Sequence, residues 1–228
     1  MLVDLQLSSA HNDWPAFLDA TLQAEADGFD TTWVLDHFDG ATFAGGDRDL
    51  LECCTLLGAL AVATTTIGLG TLVANVANRH PAVLAAGLSS AHRISGGRVR
   101  AGIGAGASPS TPWAREHHDR GIPLQSRLVD RHAAVVEQIS VLRRVEPMSI
   151  IVGVNSVELA TIAGVHADGV NVRLSSPAAA DHVAAAIEAA DGRPFETSGW
   201  ADVDDHASRA KADELGLDRV ILSRLAPL

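Results

Sequence analysis

The feature that most constrains this chain is an alternation of strand-like and helix-like segments running from one end to the other. Met1–Leu7 alternates apolar and polar residues, as a half-buried strand does. A helix follows, capped by Asn12 or Asp13, carrying Pro15 in its first turn and stopped by Gly28 after Asp27. The same punctuation then recurs. Strand Thr31–Leu35 precedes helix Asp49–Ala63, strand Thr66–Val73 precedes helix Pro81–Ile94, and strand Arg98–Gly104 precedes a helix that opens near Gln125. In that helix Leu128, His132, Val135, Val136, Ile139 and Leu142 share one face at spacings of three and four. Strand Ser149–Gly153 leads through Asn155-Ser156-Val157-Glu158, which reads as a capping box, into the next helix. Strand Ala167–Val172, helix Pro177–Ala190, strand Pro194–Ser198, helix Val203–Leu215 and strand Arg219–Leu222 complete the series. Repeated βαβ units imply a parallel sheet. Eight strands closing into a compact (β/α)8 TIM barrel, one domain over residues 1–228, is the simplest arrangement.

Composition narrows the partners. The net charge is -11 and Lys211 is the only lysine, so the chain lacks the basic face of a nucleic-acid binder. No apolar run approaches the roughly 20 residues of a membrane helix. The N-terminus has no basic-then-apolar pattern of a signal peptide. Cys53 and Cys54 are adjacent and have no second pair, which suits reduced, buried residues of a cytoplasmic protein. Aromatic residues make up only 4% of the chain, so Ala, Val, Leu and Ile must build the core.

In such a barrel ligands bind at the C-terminal ends of the strands, so the residues there carry the chemistry. Ser8, Ser9 and His11 follow the first strand, and Asp36, His37 and Phe38 the second. Leu72, Val73 and Asn75 lie at the third, Ala105 and Ala107 at the fourth, and Gly153, Val154, Asn155 and Ser156 at the fifth. A histidine titrates near neutrality and can exchange a proton during turnover. An adjacent Asp can orient it or accept a hydrogen bond from a ligand. The plainer alternative is that both are polar residues facing water. Gly102-x-Gly104-x-x-Ala107 superficially matches a dinucleotide fingerprint, but Pro109 and Pro112 follow where a helix would have to start. These glycines instead allow close approach of a ligand or another backbone. Gly153–Ser156 runs from a strand into a helix N-terminus, a place suited to phosphate or to an ordinary cap. Glu116-His117-His118-Asp119 lacks any metal-ligand spacing, so no metal site is expected, and the long loop that carries it is a lid or a dimer contact.

Four segments together resemble the bacterial luciferase-like superfamily of flavin- and coenzyme F-420-dependent oxidoreductases. Ala24-Glu25-Ala26-Asp27-Gly28-Phe29-Asp30 leads to Trp33 and Asp36-His37-Phe38; Ile67-Gly68-Leu69-Gly70-Thr71-Leu72-Val73 leads to Arg79-His80-Pro81. Ile94-Ser95-Gly96-Gly97-Arg98 leads to Gly102-Ile103-Gly104-Ala105-Gly106, and Ile151-Val152-Gly153-Val154-Asn155-Ser156 leads to Ala167-Asp168-Gly169. The resemblance implies a coenzyme F-420 or FMN ring in the barrel mouth, a small organic substrate, hydride transfer and a homodimer. It implies His37 as proton donor and Asp36 beside the ring, with a non-proline cis peptide at Leu72-Val73 behind it. It also implies Asn75 and Ala105 at the cofactor, and Gly153, Val154, Asn155 and Ser156 at its phosphate.

Two departures bear on activity. Sugar-phosphate dehydrogenases of the F-420 branch have a glutamate where this chain has Ala107, so a second acid of that type is missing. The family's usual insertion between the fourth helix and fifth strand is also missing, since Val145 passes almost directly to Ser149. The competing readings are therefore a non-catalytic flavin- or deazaflavin-binding protein similar to the non-fluorescent flavoprotein of luminous bacteria, and a hydrolase using Asp36 and His37 directly.

Overall fold

Strands β1 (Leu2–Leu7) and β2 (Thr31–Val34) pair in parallel, and every later strand joins in parallel beside them. The others are β3 (Gly68–Thr71), β4 (Ala74–Asn75), β5 (Val99–Gly104), β6 (Ile150–Val154), β7 (Gly169–Arg173), β8 (Glu196–Asp202) and β9 (Arg219–Arg224). The order is β3-β2-β1-β9-β8-β7-β6-β5-β4, and an extra β3–β5 pairing closes the ring. β3 and β4 are two halves of one barrel strand, parted at the cis peptide Leu72-Val73. The result is a closed barrel of eight strands, as expected. This computed structural model describes residues 1–10, 12–40 and 49–225; His11 lies outside them.

Helices α1 (Trp14–Ala26), α2 (Cys53–Ala63), α3 (Pro81–Ile94), α5 (Leu128–Val145), α6 (Val157–His166), α7 (Ala179–Ala190) and α8 (His206–Glu214) lie between the strands. The β5–α5 loop holds a 3-10 turn, Pro112–Ala114, and a short helix α4 (Arg115–His118). No helix among the described residues is long and apolar enough to cross a membrane. Val145 and Ile150 are joined by four residues, and Glu146 ties this short link to Arg93 at 2.6 Å.

Several elements differ from the sequence-based expectation. Helix α2 starts at Cys53 rather than Asp49, because Glu52 caps it by accepting the Thr55 N–H at 2.8 Å. Asp49 instead forms an antiparallel bridge with Asp39. Ser156 caps α6 through the Leu159 N–H, so Glu158 stands one position too early to complete the box. Leu128 is exposed and Gln138 buried, because the packed face of α5 is rotated toward His132, Val135, Ile139 and Leu142. Strand β8 extends to Asp202, held by pairing on both sides although its own sequence is only weakly apolar.

Most apolar burial lies between strands and helices, around Phe17, Leu57, Leu84, Leu88 and Ile103. Inside the barrel a smaller cluster joins Trp33, Leu72, Ile151 and Ile221. Trp33 and the backbone of Thr71 explain two glycines. A Cβ on Gly70 would strike the indole, and one on Gly102 would strike the carbonyl of Thr71. Gly102 thus admits a neighbouring strand, one of the two readings that the sequence left open for these glycines.

The N-terminal end of the barrel is filled with charge. Arg219 reaches Asp4 and Asp30, each at 2.6 Å, and Glu196 at 3.4 Å; Arg100 also meets Glu196 at 2.6 Å. Trp33 Nε1 donates to Asp4 at 2.6 Å. Burial outweighs these partners and lifts the Asp4 pKa to about 6.

Candidate functional site

A cavity of about 470 Å³ opens at the opposite, C-terminal end of the strands. Asp36, His37, Leu72, Val73, Asn75, Ala105, Gly153, Val154 and Asn155 all line it. Ser156 does not; its hydroxyl is committed to the cap of α6.

Asp36, with 3% exposure, is an organising group of the rim. Its carboxylate accepts two hydrogen bonds from Arg79, both at 2.7 Å, and a third from the Asn75 N–H at 2.8 Å. Burial works against the Arg79 charge, but the Asp36 contacts overcome it and push the guanidinium pKa up. Asn78 Nδ2 donates to the Asp36 carbonyl at 2.9 Å. Asp36 therefore ties the end of β2 to the segment after β4.

His37 has a different partner from its sequence neighbour. Its Nδ1 lies 2.8 Å from Oε1 of Glu116, which comes from α4 in the long loop and is 1% exposed. The other Glu116 oxygen accepts the Phe38 N–H at 2.7 Å and the Asp39 N–H at 3.3 Å. Burial disfavours the Glu116 charge, yet His37 and the two amides hold its pKa below the usual value. Trp113 lies against His37, ring centroids 6.0 Å apart and tilted by 45°.

The next loop residue makes a second anchor. His117 is fully buried and its Nε2 is 2.8 Å from Asn78 Oδ1 and 3.2 Å from Asn75 Nδ2. Asn75 Oδ1 accepts the Ala77 N–H, and Asn78 Nδ2 is used by Asp36, so both amides are oriented. The shorter contact then requires an N–H on Nε2 of His117. Burial lowers the pKa of His117, favouring the neutral ring. His118 is exposed, so the adjacent histidines do diverge. Among the described residues no three His, Cys, Asp or Glu side chains gather as metal ligands would.

The cavity floor is Leu72 and Val73. Gln6 Nε2 donates to the Leu72 carbonyl at 2.6 Å, and Ser223 Oγ orients that amide by donating to Gln6 Oε1 at 2.7 Å. Val73 is seated between two strand-end glycines. A Cβ would come within 2.5 Å of Val73 Cγ2 at Gly104 and within 2.7 Å of Cγ1 at Gly153. Asn155, Asn171, Trp200 and Arg131 also line the cavity. Arg131 is the one Lys or Arg on the wall among the described residues; Nη1 is held by the carbonyls of Gln125 and Ser126, while buried Nε has no hydrogen-bond partner.

Gln6, Glu116, His117 and Arg131 are wall residues that strand-end reading missed. Only Glu116 and His117 left a trace in the sequence, as a polar cluster inside a proline-rich loop. Ala107 lines the cavity as expected, and Glu116, nine residues later, is an acidic residue in the same wall.

A stretch of 83 residues is 39% identical to a 5,10-methylenetetrahydromethanopterin reductase of Methanolobus tindarius, covering 36% of this chain and 22% of that protein. The chain thus matches less than a quarter of that relative's length. Among solved structures, an F-420-dependent secondary alcohol dehydrogenase in complex with an F-420-acetone adduct superposes with a TM-score of 0.73 at 19% identity, over 94% of this chain and 74% of the other. A riboflavin lyase with modified FMN and riboflavin gives 0.70 at 14% identity, over 94% and 66%. At these identities the two structures speak to fold alone. The luciferase-like monooxygenase family model matches residues 3–210, nearly the whole barrel, and the chain belongs to that family.

Proposed function

We propose that the cavity binds coenzyme F-420 or FMN and that the protein is an oxidoreductase acting on a small organic substrate, with His37 as its proton donor. The observation that carries this reading is a titratable imidazole, His37, in the wall of a cavity floored by apolar Leu72 and Val73. The residues present suit such a cofactor. About 470 Å³ lies within the roughly 300–1,000 Å³ typical of cofactor sites. The apolar floor and the backbone of Gly104 to Gly106 offer surfaces against which a flat ring can lie. Gly153–Asn155 ahead of the capped α6 N-terminus and the buried, unpartnered Nε of Arg131 suit an anionic phosphate group. The secondary alcohol dehydrogenase and riboflavin lyase among the similar structures carry F-420 and FMN chemistry on this fold.

Bound there, the cofactor would supply hydride transfer. The chain's own work is positional. Gln6 fixes the Leu72 carbonyl, Val73 seats the ring face, Asp36 and Arg79 fix the rim, and His37 exchanges a proton beside the reacting atoms. The non-catalytic reading is disfavoured because the similar structures include an F-420-dependent dehydrogenase and a riboflavin lyase. A hydrolase using an Asp36–His37 pair is disfavoured because Asp36 is engaged by Arg79 and Asn75.

Titration of the purified protein with F-420 and with FMN, read by fluorescence quenching, tests the reading. Micromolar or tighter binding of one is expected, and binding of neither overturns it. With the cofactor that binds, His37→Ala should keep its affinity and lose on the order of 10²–10⁴-fold in substrate-linked turnover. Normal turnover by that variant would exclude His37 as the donor.

A further inference from the structure

We infer that Glu116 is a positioning residue for His37: its buried carboxylate fixes the imidazole with its proton on Nδ1 and so assigns proton exchange to Nε2. This rests on the proposed role of His37, and it assigns a function to the long β5–α5 loop that neither motif nor strand-end position indicates.

The geometry leaves the pair little choice. Glu116 Oε1 stands 2.8 Å from His37 Nδ1, while the other oxygen is held by the amides of Phe38 and Asp39. Those amides belong to the same strand end as His37, so acid and imidazole are registered against one short stretch of backbone. A carboxylate that is 1% exposed and accepts from two N–H donors is held ionised, and an ionised acceptor requires the proton on Nδ1. Nε2 is then the nitrogen that gains and loses the second proton. In the donating step the Nε2–H bond breaks, its electron pair stays on Nε2, and the proton passes to the acceptor atom. Glu116 stays ionised, and His37 ends neutral with Nδ1–H intact.

The surrounding charges agree with this assignment. Asp36, next in sequence, is neutralised by Arg79. His117, adjacent to Glu116, is kept neutral by burial. Arg115 lies 3.8 Å from Asp39, and Arg120 lies over the Phe38 ring and pairs with Asp49 at 2.7 Å. Among the described residues, Glu116 is an acidic group in direct contact with the imidazole. The adjoining His117 fastens the same turn to Asn78 at the next strand end, so the carboxylate cannot shift without breaking that contact as well.

Nitrogen NMR of the cofactor-free protein is the test. Neutral His37 should show Nδ1 protonated and Nε2 bare; an Nε2–H tautomer in the wild type would overturn the inference without any variant. In Glu116→Gln the amide oxygen keeps the Phe38 and Asp39 N–H groups and its NH2 faces Nδ1, so the ring should switch toward the Nε2–H tautomer. Glu116→Asp should restore part of the Nδ1–H population. An unchanged tautomer in a folded E116Q protein would also overturn it. Because the spectrum is read without cofactor, its outcome is separate from whether F-420 or FMN binds. Failure of binding with the Nδ1–H tautomer present would sink the functional reading alone.

Discussion

The two ends of the barrel both bury charge, and they use it differently. At the N-terminal end Arg219, Asp4, Asp30, Glu196 and Arg100 neutralise one another, while Trp33 takes up the remaining Asp4 oxygen. At the C-terminal end Asp36–Arg79 and Glu116–His37 are also paired, but His37 and Glu116 stand in the wall of the 470 Å³ cavity. Buried charge by itself therefore does not mark a site. What sets the C-terminal end apart is that its paired groups stand in a cavity wall. The strongly raised Asp4 pKa belongs to the end that only holds the barrel together.

Removing the central cation at the N-terminal end should have the largest effect. Arg219→Ala leaves Asp4 buried at 0% exposure without its ion-pair partner, a change that costs about 3–5 kcal/mol. The deficit, read from urea unfolding, should shrink at pH 5 compared with pH 8, since a protonated Asp4 needs no cation. Equal loss at both pH values would show that Asp4 is not the group at stake.

The C-terminal end should respond to small steric changes. Gly153→Ala places a methyl against Val73, so the floor must shift at a cost of about 1–3 kcal/mol. Cofactor affinity should fall more than stability does, measured by quenching beside thermal melting. An unchanged affinity would separate the floor from the binding site.

The smallest expected effect concerns acid stability. Glu25 Oε1 accepts the N–H groups of Thr65, Thr66 and Ile67. Desolvation opposes its charge, but these bonds prevail and bring its pKa down to about 2. A carboxylate whose pKa is depressed on folding stabilises the native state above its unfolded value of 4.5, and that contribution fades as pH falls toward 2. Glu116 acts in the same direction. Asp4 acts oppositely: its raised pKa makes its own contribution less favourable as pH climbs from 3.8 to about 6. Glu25→Gln should therefore flatten the acid limb of the stability profile and leave neutral stability nearly unchanged. An identical acid limb would remove Glu25 as its source.

Much of this was readable beforehand, and particular residues show why. Pro81 and Ile94 bound α3 as expected, because proline at the start and Ser-Gly-Gly after the end are local signals. Strand β8 was seen only in part, since Glu196-Thr197-Ser198-Gly199 acquires its strand from neighbours on both sides. The motif around Asp30 and Arg79 was visible, but its function as scaffold was not. Asp30 answers to Arg219, 189 residues away, and Arg79 to Asp36.

The sequence by itself determined the strand count, the parallel closure and the strand ends on which the cavity would be built, because periodicity, caps and glycines act within a few residues. Only the tertiary structure decided which partner each polar group obtained. Asp36 and His37 are adjacent in the chain yet turn to Arg79 and Glu116. Pairings across 43 and 79 residues depend on where the barrel brings loops together, and no local pattern encodes that. The placement of Glu116 against His37, 2.8 Å apart, is a property of the closed barrel.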